Sequence, residues 1–304
     1  MITRFLFSAA LLPVPLLFAI QSGTGQPTTP RSRSTLQKQI EQLAQSAQGR
    51  VGVAATLLET GESVALHGDG QFPMQSVYKF PIGMAVLHQV DQGNLSLTQT
   101  VRIPKAEYVS ERQHSPIRDK YPNGIEMSIN DLLRYAVSES DGSASDVLLR
   151  IVGGAPVVMA YLQSLGVTGI QVINTEKEIG SDNAVQYRNW AQPTQAVALL
   201  RALQEGRGLS KASRVLLLRL MTETPTGLRR LKANLPAGTV VVHKTGSSLT
   251  VDGLTAATNN IGLITLPNGK HLAVAVFVSD SKADEATREG VIANVAKAIW
   301  DYWR

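Results

Sequence analysis

Three short motifs carry residues suited to covalent catalysis by serine. Ser76-Val77-Tyr78-Lys79 sits where a loop, Phe72-Pro73-Met74-Gln75, gives way to a helix running toward Gln89. Residues three apart share a helical face, so the Lys79 amine can reach the Ser76 hydroxyl. A serine hydroxyl is a poor nucleophile until a neighbouring base takes its proton, and a helix N-terminus favours the negative charge that develops. Alone, the motif reads by default as a capping serine and a solvated lysine. Lys244-Thr245-Gly246 is expected to end a strand begun at Val240. A lysine there, beside a glycine, can present a cation and a close-approaching backbone to a ligand carboxylate. The backbone N–H of Ser247 could pair with that of Ser76 to hold an oxyanion. Ser140-Asp141-Gly142 lies on a short connection between two helices. Its hydroxyl could pass a proton to a leaving nitrogen if it faced Ser76 and Lys244; the plain alternative is an interhelical turn with Ser145-Asp146 as a later cap.

These motifs need elements to hold them. Leu36, Ile40 and Leu43 recur at helical spacing up to Gly49, with Ser34 as N-cap. Val51–Leu57 and Val64–Leu66 read as paired strands about the turn Thr60-Gly61-Glu62. From Pro81 to Met221 the texture is helical. Ser128-Ile129-Asn130-Asp131 resembles a capping box, and helices are expected over 144–152, 155–165, 194–205 and 210–222. Residues 168–191 show no sustained periodicity, which marks a long functional loop. Strand signals return at Val240–His243, Gly253–Thr258, Ile261–Leu266 and Leu272–Val278, with Pro267-Asn268-Gly269-Lys270 as a turn and a final helix over 283–302. Strands at both ends and helices between them predict an α/β (α+β) fold: an antiparallel sheet built from both chain ends and flanked by helices, with an inserted all-helical domain and the active site between them. The expected division is 26–80 with 228–304 for the α/β part and 81–227 for the helical part.

Composition narrows the possibilities. The 304 residues are 43% hydrophobic and 17% charged, which excludes a disordered or coiled-coil chain. The net charge of +5 comes without basic runs interleaved with aromatics, so no nucleic-acid partner is expected. Cysteine is absent, which removes disulfides, thiolate metal sites and a cysteine nucleophile. The five histidines form no ligand-spaced pair, and no metal or other cofactor is expected. Arg4, the apolar run Phe5–Ile20 and the small residues Ser22–Gly25 read as a signal peptide over 1–25, cut near 20–26. The run is short for a membrane span and holds Pro13 and Pro15, which disfavours a retained helix. The expected location is periplasmic or secreted, without stable membrane association after processing.

In combination and in this order, Ser-x-x-Lys, Ser-Asp-Gly and Lys-Thr-Gly resemble the penicillin-recognising serine enzymes, specifically the class A β-lactamases. Gln75–Phe80 and Tyr187-Arg188-Asn189-Trp190 are most similar to the branch holding the PER-type extended-spectrum enzymes. The resemblance implies a monomer that hydrolyses small-molecule β-lactams and confers resistance to them. It implies that Ser76 is acylated, that Lys79 shuttles protons, that Ser140 relays one to the lactam nitrogen, and that Glu176 activates the deacylating water. Glu178, two residues later, is the competing carboxylate. Either Lys79 or Glu176 is the acylating base. Lys244, Thr245 and Gly246 would bind the substrate carboxylate, with Ser76 and Ser247 supplying the oxyanion-hole N–H groups. Arg230 would assist with the carboxylate unless it is a surface arginine like Arg229, and His114 would wall the cleft mouth. Two positions depart from the family pattern: Gly142 and Gly180 each replace a common asparagine, the first at the substrate amide and the second at the hydrolytic water. The runners-up are a D-alanyl-D-alanine carboxypeptidase or other penicillin-binding protein, which lack the loop glutamate, and a penicilloyl-binding sensor domain that is acylated without turnover.

Overall fold

Strands buried on both faces are near-continuous apolar runs, and Leu272–Val278 is of that kind. In the computed structural model, which describes residues 1–3, 6 and 32–304, this run is the middle of a five-stranded antiparallel sheet. Its strands are β1 (Arg50–Leu57), β2 (Ser63–Leu66), β3 (Val241–Ser247), β4 (Thr258–Thr265) and β5 (His271–Ser279). They lie in the order β2-β1-β5-β4-β3, so the sheet is assembled from both chain ends as the sequence predicts. Arg50 faces Ser279 across the β1–β5 pair, while Thr258 of β4 faces both Val278 and Ser247. The leader expected over 1–25 falls, apart from residues 1–3 and 6, outside the described residues.

The period of two divides β5 between two cores. Val274, Val276 and Val278 face a core closed by the helices Arg33–Gln45 and Glu285–Trp303, through Leu36, Ile40, Val295 and Ile299. Ala273, Ala275 and Phe277 face the other core, which holds Phe72, Phe80, Leu132, Leu148 and Leu199. Helix Pro193–Glu205 packs over β1 and β5 on that side. A Cβ on Gly52 of β1 would fall 2.3 Å from the Phe72 ring, so the glycine makes room for Phe72, which stacks on Phe277. Helices Gly142–Ile151, Ala155–Ser164, Pro193–Glu205 and Lys211–Thr222 match their expected spans to within two residues. Ser128 caps Ile129–Leu133 by accepting the Asp131 N–H, and the chain continues through a π-turn, Arg134–Ser138, toward Ser140. Among the described residues no single helix is long and apolar enough to cross a membrane.

Three expectations need correction. Ser32, rather than Ser34, caps the first helix, accepting the Thr35 N–H. Residues 253–258 are not one strand of the sheet. Thr250–Val251 and Leu254–Thr255 form their own ribbon around Asp252 and Gly253, both with positive φ (49° and 75°), a mirror-image turn for which Asp-Gly is a strong signal. Residues 168–191 are not without elements. They hold the two-residue strands Ile170–Gln171 and Trp190–Ala191, the helix Glu176–Ser181 and a 3₁₀ turn over Val185–Arg188. Each is too short to print a period on the sequence. Asn189 closes the segment, its Oδ1 accepting the N–H groups of Ile173 (2.8 Å) and Asn174 (2.9 Å).

His243, on β3, is buried beside the Asn260 amide, 3.1 Å away, and burial pushes its pKa down to about 4 from 6.5. Between those values the unfolded chain takes a proton that the native chain refuses. Stability is therefore complete above about pH 6.5 and falls as pH drops through about 4, by up to roughly 3 kcal/mol. His243→Asn removes this loss, so the melting temperatures of parent and variant should draw together, or cross, as pH falls from about 7 to about 4. Parallel curves would contradict the assignment.

Candidate active site

The Ser76 turn is held from two directions. Phe72-Pro73 pairs with Trp190-Ala191. Gln75 then turns at φ 47° into a 3₁₀ stretch, Gln75–Tyr78, that runs directly into the helix Lys79–Asp91. β3 passes against this turn, and a Cβ on Gly246 would lie 2.2 Å from the Met74 carbonyl oxygen. The glycine expected to admit a ligand thus admits the backbone of the Ser76 turn itself. Asn259 of β4 fastens it further, its amide donating to the carbonyls of Pro73 (2.8 Å) and Met74 (3.1 Å). Lys244-Thr245-Gly246 lies inside β3 rather than at its end, because the strand continues to Ser247 and Lys244 pairs with Ile261.

Lys79 is 2% exposed and stands at the centre. Its ammonium donates to Ser76 Oγ at 2.7 Å and to the Ser140 carbonyl at 2.9 Å, and lies 2.6 Å from Glu176 Oε1. Glu176 Oε1 is 3.5 Å from Ser76 Oγ. Ser140 has a left-handed backbone, φ 62°, a conformation costing about 1–3 kcal/mol in a non-glycine residue. That conformation turns its carbonyl to Lys79 and its hydroxyl to Lys244, whose Nζ donates to Ser140 Oγ at 2.9 Å. Lys244 is fully buried, and desolvation, with the Lys79 charge adding to it, drives its pKa well below the usual lysine value.

Asp141 caps helix Gly142–Ile151 by accepting the Ala144 N–H at 2.8 Å, and it also takes the Ile117 N–H at 2.7 Å and the Ser115 hydroxyl. Asp146 is therefore not a cap of that helix. It accepts the N–H groups of Glu176 (2.7 Å) and Lys177 (2.9 Å), and burial raises its pKa to about 7. The two carboxylates of the short helix separate cleanly: Glu178 closes a capping box with Thr175, while Glu176 is buried against Lys79. The Gln113 amide donates to Glu176 Oε2 at 3.0 Å.

Ser76, Lys79, Ser140, Glu176, Ser247 and His114 all line one cleft of about 230 Å³. Gly142 is buried beside it, its N–H donating to the His114 carbonyl, and the His114 ring bonds the Glu139 carbonyl at 2.9 Å. Arg230 is buried, unlike Arg229: it is paired with Glu289 at 3.0 Å and donates to Ser247 Oγ at 2.6 Å. Thr245 hydrogen-bonds Thr226 at 2.8 Å. Among the described residues no group of three or more His, Asp or Glu is arranged to hold a metal ion. The arrangement brings a hydroxyl, an amine, a carboxylate and a second hydroxyl to one point, as acyl transfer and hydrolysis require. Gln113, Asp146 and Asn259 escaped the sequence reading. Only Asp146 carried a signal there, taken for the wrong helix.

A family model described as "Beta-lactamase enzyme family" matches residues 35–303. The chain is 43% identical over 269 residues to the extended-spectrum beta-lactamase PER-1 of Pseudomonas aeruginosa, covering 88% of this chain and 87% of that one. It is 40% identical over 266 residues to beta-lactamase VEB-1 of the same organism, covering 87% and 89%. Among solved structures, a beta-lactamase from Chitinophaga pinensis superposes with a TM-score of 0.85 at 48% identity, covering 88% of this chain and 98% of that one. The TLA-1 extended-spectrum enzyme gives 0.86 at 44%, covering 89% and 98%.

The Asp141 cap makes a stability prediction. Asp141→Ala orphans two buried N–H donors, at about 1–3 kcal/mol each, and frees the turn that holds Ser140. Denaturant unfolding should move to clearly lower midpoints; a variant as stable as the parent would mean that the cap does not hold this turn.

Proposed function

The chain belongs to the beta-lactamase enzyme family, as a class A β-lactamase, a hydrolase of β-lactams, and we propose that it opens the lactam through an acyl-enzyme on Ser76. The observation that carries this reading is the single ammonium of Lys79 within hydrogen-bond reach of Ser76 Oγ and Glu176 together. Ser76 Oγ attacks the lactam carbonyl while its proton leaves by one of two routes through that contact. Glu176 accepts it directly, or Lys79 in its neutral form does, a route that stays open when Glu176 is replaced. The backbone N–H groups of Ser76 and Ser247 receive the oxyanion. Ser140 protonates the departing nitrogen while its oxygen takes a proton from Lys244, and the proton removed from Ser76 passes back through Lys79 to that pair, which leaves Glu176 an ionised carboxylate. The Ser140 oxygen already accepts from Lys244, which leaves the hydroxyl proton free for the substrate. Water activated by Glu176 then cleaves the ester.

Lys244 and Thr245 bind the substrate carboxylate from the strand whose Gly246 seats the Ser76 turn, with Arg230 assisting through Ser247, and Gly142 and His114 bound the side-chain end of the cleft. A carboxylate 3.5 Å from the nucleophile supports turnover over a stably acylated sensor. The leader-like segment at Arg4–Gly25 supports action in the periplasm or outside the cell.

Ser76→Ala should abolish hydrolysis of a chromogenic cephalosporin while melting as the parent does. Residual turnover near the parent rate, with normal melting, would defeat the assignment. Lys244→Ala should lower kcat/KM for all substrates by disturbing Ser140. It should cost carboxylate-bearing β-lactams a further 10- to 10²-fold or so, since a charge-assisted contact is worth about 1.5–3 kcal/mol. An equal loss for substrates with that carboxylate esterified would contradict the binding role.

A further inference from the structure

Glu176 has two oxygens with different duties. Oε1 is held by Lys79 and faces Ser76, while Oε2 has one partner among the described residues, the Gln113 amide nitrogen at 3.0 Å. The same nitrogen donates to the backbone carbonyl of Glu176. An ionised carboxylate only accepts, which orients the amide with its nitrogen toward Glu176 and its oxygen away. That oxygen, Oε1 of Gln113, is buried and has no hydrogen-bond partner among the described residues. It occupies the space where a side chain on residue 180 would begin: a Cβ on Gly180 would lie 2.2 Å from Gln113 Oε1 and 2.6 Å from its Cδ. The other glycine departure borders the same group, since a Cβ on Gly142 would meet Glu176 Cγ at 3.4 Å and the His114 carbonyl at 3.3 Å. Both glycines thus clear volume around one carboxylate, and the Gln113 amide fills the part beside Gly180.

We propose that Gln113 is a positioning residue for deacylation, fixing the Glu176 carboxylate in the orientation that faces Ser76, and that residue 180 is glycine so that Gln113 can reach it. This deepens the reading of Glu176 as the deacylating base and rests on it. Lys79 alone tethers one oxygen and leaves the carboxylate free to rotate about it. The charge-assisted bond from Gln113 to the second oxygen fixes the plane. A base displaced by about 1 Å costs on the order of 10²-fold in rate.

The test follows the decay of the acyl-enzyme by intact-protein mass spectrometry, with steady-state kinetics alongside. Gln113→Ala should decay about 10- to 10²-fold more slowly than the parent. Its kcat and KM should fall together, with kcat/KM falling much less than kcat, the signature of a second step slowed more than the first; a general loss of active protein would lower kcat and leave KM unchanged. Gly180→Ala should behave likewise and melt as the parent does, because residue 180 has no positive φ and the nearest atoms its new methyl meets are at the movable end of Gln113. The double variant should decay no more slowly than Gln113→Ala alone. Parent-like decay in Gln113→Ala, or a double variant that multiplies the two single losses, would overturn the proposal. If Gln113→Ala proves poorly folded, Gly180→Ala decides by itself, since Gln113 is still present. Glu176→Gln, carried through the same measurements, separates the two levels. If it keeps the parent's turnover, the base assignment falls; if it stalls while Gln113→Ala does not, only the positioning role falls.

Discussion

A lysine ammonium taken out of water must be paired, and the cleft is built around meeting that demand for Lys79. Removing such an ion from solvent costs several kcal/mol, returned only by good geometry and by hydrogen bonds to its remaining protons. Three oxygens satisfy it here, and they come from three distant parts of the chain: Ser76 on the preceding turn, the Ser140 carbonyl and the Glu176 carboxylate. Each is delivered by a buried group with no evident chemistry of its own. Gly246 and Asn259 hold the turn, Asp141 holds the connection that ends in Ser140, and Asp146 holds the backbone of Glu176. The same contacts that neutralise the lysine bring the Ser76 hydroxyl within 3.5 Å of the Glu176 carboxylate. Stability and chemistry here are one arrangement.

A second buried lysine completes it. Ser140 stands between Lys79 and Lys244, with its carbonyl given to one and its hydroxyl oxygen to the other. A left-handed serine is an expensive way to make a turn, and it persists because both lysines and the Asp141 cap determine it. Lys244 is pushed toward its neutral form by burial and by the Lys79 charge. An anionic group entering beside it would reverse part of that effect.

Much of this was legible in the sequence because the chemistry is local where it matters most. Ser76 and Lys79 share one helical turn, and the strands at both chain ends are short apolar runs bounded by turn residues, so the sheet and most helix spans could be read directly. Glu176 was found through the resemblance, not through periodicity, since its helix has only six residues. What stayed hidden depends on contacts between segments far apart in sequence. Asp146 acts 30 residues away on the Glu176 backbone, and Asn259 acts 185 residues away on Met74. Gly142 and Gly180 were visible as departures, but only the fold explains what fills the space around them. The Asp252-Gly253 turn was a local signal passed over at the start of a run read as one strand, Gly253–Thr258.

The central claim is that Glu176, paired with Lys79, serves the second half of a two-step reaction. Its most direct test is a timed acid quench of Glu176→Gln and Glu178→Gln with a good penicillin, read by intact-protein mass spectrometry with the adduct mapped by digestion. Loss of a general base typically costs on the order of 10²–10⁴ in rate. Glu176→Gln should therefore accumulate a persistent penicilloyl mass on the Ser76 peptide, while Glu178→Gln clears it as the parent does. Turnover of Glu176→Gln at the parent rate, with no adduct at any time point, would contradict the account.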